Sequence, residues 1–455
     1  MDTIAAISTP HGVGGLAVIR ISGEDAISIA EKIFQPQNEN KTVSKMQGYT
    51  ACYGKVVNNN EVIDDGVLLV FRAPNSYTGE DVAEISVHGG TYIAKLALRA
   101  ALSYGARPAD AGEFSKRAFV NGKLSLTQAE SVIDLIEANG RATHRSALMM
   151  RDGELNRQIN TATDTIVSIC AEISAWIDYP EEDIPALQDD NLINSLNTAK
   201  ECLETLLKDY DAGRMLKEGI ATVIVGKPNA GKSTLMNLLS KCERSIVTDI
   251  AGTTRDVIEE SVRLDEDIVL RLADTAGIRE TDDTVEQFGV KLSRERIDTS
   301  DLVLAVFDSS EPMSTEDEDL LSSLSPDNTI AVFNKKDIES KLNKERIKQH
   351  LKYSVEISAK TGENSDELVS LVKKVITKNG NDLSAPLIVN ERQRNCIFRA
   401  NNLLNEAING VQSGVTLDAV GATLDACANE LLVLTGKKAT DAVVSEVFRR
   451  FCVGK

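Results

Sequence analysis

Residues 222–234 read TVIVGKPNAGKST and join an apolar run to the spacing Gly226-x-x-x-x-Gly231-Lys232-Ser233. This pattern predicts a strand, a phosphate-binding loop and the start of a helix. Glycines let backbone N–H groups turn toward phosphate oxygens, and a helix N-terminus carries positive partial charge. Lys232 would place a cation near the outer phosphates, and the Ser233 hydroxyl would bind Mg²⁺. A purely structural turn is the alternative, which the full spacing disfavours.

Two later stretches fit the same site. SIVTDIAGTTRD (245–256) contains Thr253 and Thr254, and a hydroxyl there could complete the Mg²⁺ shell when a γ-phosphate is present. An ordinary Thr-rich turn is the alternative. LRLADTAG (270–277) is an apolar strand ending in a carboxylate, which would hold Mg²⁺ indirectly, and a glycine whose N–H would contact the γ-phosphate.

The base is predicted to be guanine. In AVFNKKD, Asp337 can accept two hydrogen bonds from the N1–H and exocyclic amine of guanine, and adenine offers no such pair. We expect this carboxylate to be buried, and leaving it unpaired would strongly penalise ATP, so Asn334-Lys335-x-Asp337 favours GTP. Ser358-Ala359-Lys360 would add backbone contacts to the guanine oxygen. We therefore expect a GTPase on a doubly wound α/β sheet.

Composition limits the remaining possibilities. A chain of 455 residues is long enough for about three domains. Its net charge of −19 argues against simple wrapping of nucleic acid, although the chain ends are near neutral. The seven cysteines contain no C-x-x-C pair, which argues against a zinc site or a disulfide framework. No apolar stretch reaches membrane-spanning length and no signal peptide is evident, so we expect a soluble cytoplasmic protein.

The elements around the nucleotide site change character along the chain. Residues 1–119 alternate short apolar runs with turns and predict an α+β domain. Helical spacing begins near residue 124 and continues over nearly fifty positions, with Thr127 and Glu130 as a plausible capping box. Helices are also predicted at about 390–412, 416–435 and 439–451. We therefore predict one helical domain, 120–217 and 382–455, into which a GTPase domain, 218–381, is inserted.

The central domain resembles the Ras-like P-loop GTPases of the translation-factor class, with two departures. Ile278 stands where Ras-like proteins keep a water-orienting glutamine, and an aliphatic side chain cannot orient water. Asn229 and the switch stretch resemble GTPases that bind K⁺ between the phosphates; a simple turn residue is the alternative for Asn229. The resemblance implies GTP contacts from Asn229, Ala230, Gly231, Lys232, Ser233, Thr234, Thr248, Asp249, Ile250, Ala251, Gly252, Thr253, Thr254, Asp274, Thr275, Ala276, Gly277, Asn334, Lys335, Asp337, Ser358, Ala359 and Lys360.

Over its full length the chain resembles the MnmE (TrmE) family of tRNA-modification GTPases. The marks outside the GTPase domain are LAVIRISG, NSYTGEDVAEISVHGG, AGEFSKRAFVNGKLSLTQAE and the final Cys-x-Gly-Lys. The family implies an α+β folate-type N-terminal domain that dimerises, and GTP hydrolysis coupled to modification of the wobble uridine of certain tRNAs. It also implies an FAD-containing partner, MnmG, and a folate-derived one-carbon unit that builds an aminomethyl or carboxymethylaminomethyl group.

Site residues follow from this resemblance, position by position. Glu286 matches the water-orienting glutamate, although alone it would have been interpreted as a solvated helix residue. Cys452 matches the C-terminal thiol and, with Glu286, Lys232 and Gly277, completes the catalytic set. The ion and folate sets are Asn229, Thr248, Ile250 and Thr253 for K⁺, Ser233 and Thr254 for Mg²⁺, and Arg20, Glu84, Lys123 and Lys455 for 5-formyl- or 5,10-methylene-tetrahydrofolate.

One alternative function is a GTPase switch or ribosome assembly factor whose only chemistry is hydrolysis. A folate-type domain and a Cys-x-Gly-Lys tail would serve no purpose in such a switch, and no recognisable RNA-binding module follows the GTPase domain. A GTPase-linked metal permease is disfavoured because the sequence lacks membrane spans.

Overall fold

The computed structural model describes residues 2–138, 140–178, 189–208, 210–240, 260–265, 268–272, 297, 299–376 and 390–454. The chain divides into two compact units. The first comprises Met1–Ile133, Met150–Glu201 and Cys396–Lys455, and the second comprises Asp134–Met149 and Cys202–Asn395. The domain boundaries at 119, 217 and 381 remain a prediction.

A seven-stranded sheet forms the amino-terminal part of the first unit. Its strands are β1 Ile4–Ile7, β2 Leu16–Ser22, β3 Phe34–Pro36, β4 Thr50–Asn58, β5 Glu61–Phe71, β6 Val82–His88 and β7 Arg107–Pro108. They lie in the order β3-β4-β5-β6-β2-β1-β7, and every neighbouring pair is antiparallel except β1 with β7. The sequence predicted β2, β4, β5 and β6 but missed the three shortest strands, which are too short to show periodicity.

Two helices, α1 Ala26–Ile33 and α2 Thr91–Ser103, share a core with this sheet. Apolar strand residues such as Ile19 belong to that core. Because successive strand side chains alternate between faces, Arg20 and Glu84 lie on the opposite face. The alternation of apolar and charged residues in β2 and β6 therefore places these two site candidates together, away from the helices.

Helices follow the sheet in the chain. They are α3 Glu113–Val120, α4 Leu126–Glu137, α5 Arg141–Arg151, α6 Glu154–Asp178, α7 Asp189–Lys208 and α8 Tyr210–Glu218. The predicted continuous helix from residue 124 is wrong, because α4, α5 and α6 are separate. Gly153, immediately before α6, has φ of +86°, a left-handed conformation that interrupts a helix.

The capping prediction for α4 is also wrong, by two residues. Ser125 Oγ accepts a hydrogen bond from Gln128 N at 3.3 Å, and Ser125 N donates to Gln128 Oε1 at 3.0 Å. This reciprocal pair is a capping box, and it lies two residues before Thr127 and Glu130. Both pairs have the required spacing, so the sequence alone did not distinguish them.

The second unit contains a six-stranded sheet. Its strands are β8 Ile220–Val225, β9 Glu260–Arg263, β10 Val269–Leu272, β11 Leu302–Asp308, β12 Thr329–Asn334 and β13 Tyr353–Glu356, in the order β13-β12-β11-β8-β10-β9. All neighbours are parallel except β9 with β10. Every residue of β11 and β12 is buried, as expected for parallel strands covered on both faces. The predicted doubly wound α/β architecture is present.

Helices of this unit follow its strands. They are α9 Lys232–Leu239, α10 Thr315–Ser323, α11 Lys344–His350 and α12 Ser365–Ile376. The guanidinium carbon of Arg394 lies 5.0 Å from the ring centroid of Tyr210, the first residue of α8. The segments that precede and follow the α/β sheet are therefore close to one another, which is what an inserted domain requires.

Three more helices follow, α13 Glu391–Gln412, α14 Leu417–Thr435 and α15 Asp441–Arg449. The predicted boundaries agree to within two residues. Gly421 of α14 faces α6, since a Cβ atom there would be 3.3 Å from Ile173 Cγ2. Among the described residues, no helix is both long enough and apolar enough to cross a membrane.

Candidate functional site

The phosphate loop connects β8 to α9 as the sequence predicts. Gly226 has φ of +153°, and a Cβ atom there would be 2.4 Å from the carbonyl oxygen of Val306. Gly231 has φ of +96°, and its Cβ atom would be 2.1 Å from Asn334 Nδ2. Neither position accepts a side chain. Gly226 is required because the strand that contains Val306 lies against it, and Gly231 is required because Asn334 of the guanine motif lies against it.

Lys232 lies across this loop. Its Nζ donates to the carbonyl oxygens of Gly226, at 2.7 Å, and Lys227, at 2.9 Å. Burial lowers the pKa of Lys232. The ammonium group is therefore held at the loop, where it can exchange carbonyl oxygens for phosphate oxygens.

Asn229 to Thr234 complete the loop and the first turn of α9. Asn229 is exposed and has φ of +60°, Ala230 is buried, and the side chains of Ser233 and Thr234 are exposed. The Ser233 hydroxyl, on the helix turn that follows the loop, suits Mg²⁺, and the Asn229 carboxamide is a hard oxygen donor that suits K⁺.

Asn334 connects three parts of the site. It is 3% exposed, its Nδ2 donates to Ala230 O at 2.9 Å, and its Oδ1 accepts from Ala359 N at 3.0 Å. The phosphate loop, the end of β12 and the segment after β13 are thus joined by one side chain.

Asp337 is the expected guanine-binding carboxylate, and it is exposed, contrary to the assumption that it is buried. Its Oδ1 accepts from Ser358 Oγ at 2.7 Å, and this hydrogen bond lowers the pKa of Asp337. Ser358 is fully buried, Ala359 is 5% exposed, and Lys360 is exposed. Asp337 is thus ionised at neutral pH and available to a base.

Several predicted site residues lie outside the described part of the chain. They are Thr248, Asp249, Ile250, Ala251, Gly252, Thr253, Thr254, Asp274, Thr275, Ala276, Gly277, Glu286 and Lys455.

A second candidate site lies in the first unit. A cavity of about 320 Å³ is lined by Arg20, Phe71, Tyr77, Val82, Glu84 and Val132. Arg20 Nε donates to Glu84 Oε1 at 2.7 Å, across the register pair that β2 and β6 form. The Arg20 guanidinium carbon is 5.5 Å from the ring centroids of both Tyr77 and Phe114, which is within cation–π range.

Neither aromatic residue was predicted to belong to this site. Tyr77 lies in the loop before β6 and its hydroxyl is 2.7 Å from Ser115 Oγ, while Phe114 is fully buried in α3. Both lie in stretches that mark the family resemblance, but an aromatic residue in a sequence indicates burial more often than a role beside an arginine, so their place at Arg20 was not predicted.

The carboxyl-terminal segment reaches this cavity. Val453 forms a bridge with Ala111, and Gly454 O accepts from Ser8 Oγ at 3.2 Å and from Arg20 Nη1 at 3.5 Å. Cys452 is exposed. Lys123 donates to Pro74 O at 3.1 Å and is not among the described residues that line the cavity.

The loop, its lysine and the Asn-Lys-x-Asp motif at the carboxyl ends of parallel strands define a P-loop GTP-binding protein. Family comparisons agree: the pattern described as "GTP-binding protein TrmE N-terminus" matches residues 3–123, and "MnmE helical domain" matches residues 126–452. The chain belongs to the MnmE family of tRNA modification GTPases.

Individual relatives match over the whole chain. The tRNA modification GTPase MnmE of Clostridioides difficile (strain 630) is 39% identical over 457 residues, covering 100% of this chain and 99% of the relative. That of Carboxydothermus hydrogenoformans is 41% identical over 460 residues, with the same coverage. Among solved structures, Era of Aquifex aeolicus bound to GDP.AlF4- is 28% identical to this chain, with a TM-score of 0.27. The match covers 40% of this chain and 66% of the Era chain.

The chain is therefore a GTP hydrolase that acts in tRNA modification, with GTP and Mg²⁺ as its nucleotide substrate and metal. Its fold combines the family's N-terminal domain, a helical domain and a P-loop GTPase domain.

Proposed function

We propose that this GTPase is stimulated by K⁺ and, with an FAD-containing MnmG-type partner, installs an aminomethyl or carboxymethylaminomethyl group at C5 of the wobble uridine. A tetrahydrofolate derivative, 5-formyl or 5,10-methylene, supplies the one-carbon unit. The observation that carries the proposal is the Arg20–Glu84 cavity, because GTP hydrolysis alone needs no second small-molecule site. Since tRNA is the target, the proposed location is the cytoplasm.

The chemistry of the cavity supports a pterin. Glu84 presents a carboxylate that can accept hydrogen bonds from the N–H and amino groups at the edge of a pterin ring. Arg20 orients this carboxylate through the hydrogen bond from its Nε, and the rings of Phe71 and Tyr77 offer flat surfaces to a flat ligand. Lys123 and Lys455 are proposed to meet the acidic tail of the folate.

Folate binding is tested by titrating 5-formyltetrahydrofolate in a calorimeter. Arg20→Ala removes a charge-assisted hydrogen bond worth about 1.5–3 kcal/mol, so affinity should fall by about tenfold or more. The matched control is Arg72→Ala, which removes another arginine–carboxylate pair, with Asp81 at 2.9 Å, from the same domain. Equal weakening by both substitutions, or no binding to the unmodified chain, would refute the folate proposal.

K⁺ is proposed to bind through Asn229, with Thr248, Ile250 and Thr253 completing its ligands. GTP hydrolysis should then be faster in K⁺ than in Na⁺ at equal ionic strength, and Asn229→Ala should remove the difference. The control is Asn364→Ala, which replaces another asparagine with φ near +60° in the same domain. Equal rates in the two salts would exclude this ion.

Hydrolysis is proposed to use Glu286 to orient water, Gly277 to contact the γ-phosphate and Thr254 with Ser233 to bind Mg²⁺. Glu286→Ala should lower turnover by roughly a hundredfold or more with little change in GTP affinity, as expected for loss of a general base. A variant that loses affinity and turnover in parallel would instead place Glu286 in nucleotide binding.

The complete reaction is tested by nucleoside analysis of tRNA. The assay contains the chain, the MnmG-type partner, GTP, K⁺, the folate and ammonium or glycine, and it omits one component at a time. Product formation should require this chain, and Cys452→Ser should show whether the exposed thiol takes part. The proposal also includes a homodimer formed through the N-terminal domain, in which the GTPase domains meet across the dimer in a K⁺-dependent way. Sedimentation with GDP, AlF4- and K⁺ tests this, and a chain that stays monomeric would contradict it.

A further inference from the structure

Asp308 lies beside the guanine motif without being part of it. It is the last residue of β11, and it stands in register with Asn334, the last residue of the parallel strand β12. The carboxyl ends of parallel strands meet at one edge of the sheet. The carboxylate of Asp308 is therefore placed at the same edge as the motif Asn334-Lys335-x-Asp337.

Both oxygens of this carboxylate are used, although the residue is only 3% exposed. Oδ1 accepts from Ser310 N at 2.9 Å and from Ser310 Oγ at 2.6 Å, and Oδ2 accepts from Lys335 Nζ at 2.5 Å. Burial would raise the pKa of Asp308, but the hydrogen bonds from Lys335 and Ser310 outweigh it and hold this pKa below its usual value. Asp308 is thus an ionised, buried carboxylate directed at one lysine.

Lys335 is the residue that this arrangement controls. It has φ of +63°, and it stands between Asn334, which is bonded to the phosphate loop, and Asp337, the proposed guanine contact. A lysine side chain has four rotatable bonds and takes one position only when its ammonium is held. The bond to Asp308 holds the ammonium of Lys335, and with it the end of the methylene stem, in one position beside the guanine motif.

We propose that Asp308 is a positioning residue for guanine-nucleotide binding, acting through Lys335. This inference rests on the assignment of Asn334 to Asp337 as the guanine site. Because Asp308 acts on a binding contact that ground state and transition state share, its loss should raise KM for GTP with little change in kcat.

The test is a double-mutant cycle on GDP affinity, with the variants Asp308→Asn, Lys335→Ala and the pair. Each single substitution should lower the affinity for GDP about tenfold. The double variant should bind GDP as well as the single variant with the lower affinity, because the same interaction is removed in all three variants. Additive losses, or GDP affinity within twofold of the unmodified chain in Asp308→Asn, would overturn the proposal.

The matched control is Asp301, which directly precedes the same strand at its other end. Its carboxylate accepts from Arg214 Nη2 at 2.7 Å and from Ala221 N at 3.0 Å, so it too binds one cation and one backbone donor. Asp301→Asn should lower the melting temperature without changing GDP affinity. If both aspartate variants lose affinity equally, Asp308 is merely structural and the proposal fails.

Two further variants separate the possible failures. Asp337→Asn should change the base preference from guanine to xanthine, because xanthine has an oxygen in place of the exocyclic amine of guanine. If the preference does not change, the assignment of the guanine site itself fails. Lys335→Ala changes a side chain that is one-third exposed, so it can be measured even if Asp308→Asn does not fold. Normal GDP binding by Lys335→Ala overturns the role of Asp308 in either case.

Discussion

The substitution Asn334→Ala tests how the nucleotide site is held together. It removes two hydrogen bonds, to Ala230 O and from Ala359 N, and leaves both partners inside the protein. An unsatisfied buried polar group costs about 1–3 kcal/mol, so the two together cost about 2–6 kcal/mol. A protein with about 5–15 kcal/mol of stability still folds after such a loss unless its stability lies at the lower end of that range.

The lost free energy should reduce both the stability of the fold and the affinity for GDP, because the phosphate loop is no longer held by the guanine motif. If half of it falls on binding, GDP affinity decreases by about fivefold to more than a hundredfold, at 1.4 kcal/mol per tenfold. Calorimetric titration with GDP and thermal unfolding measure the two parts separately. Because the expected loss depends on the position of the Asn334 side chain, the control is an asparagine at the other end of the same strand.

Asn328 supplies that control. It directly precedes β12, at the end opposite Asn334, and its Nδ2 donates to Ser300 O at 3.2 Å. Asn328→Ala should lower the melting temperature slightly and leave GDP affinity unchanged. GDP affinity within twofold of the unmodified chain in Asn334→Ala, or equal losses in both variants, would refute the idea that this side chain holds the loop.

Two other predictions concern the first unit. The hydrogen bond between His88 Nδ1 and Asp64, at 2.9 Å, raises the pKa of His88. The contribution of this pair to folding stability should therefore be complete at pH values below the pKa of an unfolded histidine, about 6.5, and should disappear as the pH rises through the pKa of His88 in the folded protein. NMR titration should show a raised pKa that Asp64→Asn returns toward normal; an unchanged titration contradicts this. Gly112→Ala places a Cβ atom 2.6 Å from Phe448 O, whereas Gly414→Ala, with similar φ, meets nothing within 4 Å. Thermal unfolding should show the larger loss in Gly112→Ala, and equal losses would mean that only backbone strain matters.

Local patterns predicted the parts of the site that depend on neighbouring residues in the chain. The run TVIV forms part of β8, and the glycine spacing produces the loop, because strand propensity and left-handed glycines are local properties. Asn334 was found from the motif Asn334-Lys335-x-Asp337, which is also a local pattern. The motif did not predict that Asn334 donates a hydrogen bond to Ala230 O on the phosphate loop, 104 residues away.

Contacts between distant segments account for what the sequence did not predict. The Arg20–Glu84 pair depends on the register of β2 with β6, and Phe114 reaches Arg20 from α3. In the sequence, Gly153 could belong to a continuous helix, and only its left-handed conformation shows that a helix ends there. Asp308 looks like an ordinary strand end, because its role depends on which strand lies beside it.

The conformation of Lys335 separates backbone strain from side-chain contact. A left-handed φ costs a residue other than glycine about 1–2 kcal/mol, and a charge-assisted hydrogen bond contributes about 1.5–3 kcal/mol. The bond to Asp308 is therefore large enough to hold the strained conformation. Lys335→Gly removes the strain and the bond together, whereas Lys335→Ala removes only the bond.

The glycine variant should therefore unfold at a higher temperature than the alanine variant but bind GDP equally weakly. This separation is expected because the fixed position of the lysine stem, rather than the backbone turn alone, supports the base. Thermal unfolding and GDP titration of both variants measure the two quantities. If glycine restored GDP affinity, the turn itself would determine binding, and the ion pair with Asp308 would serve only to stabilise that turn.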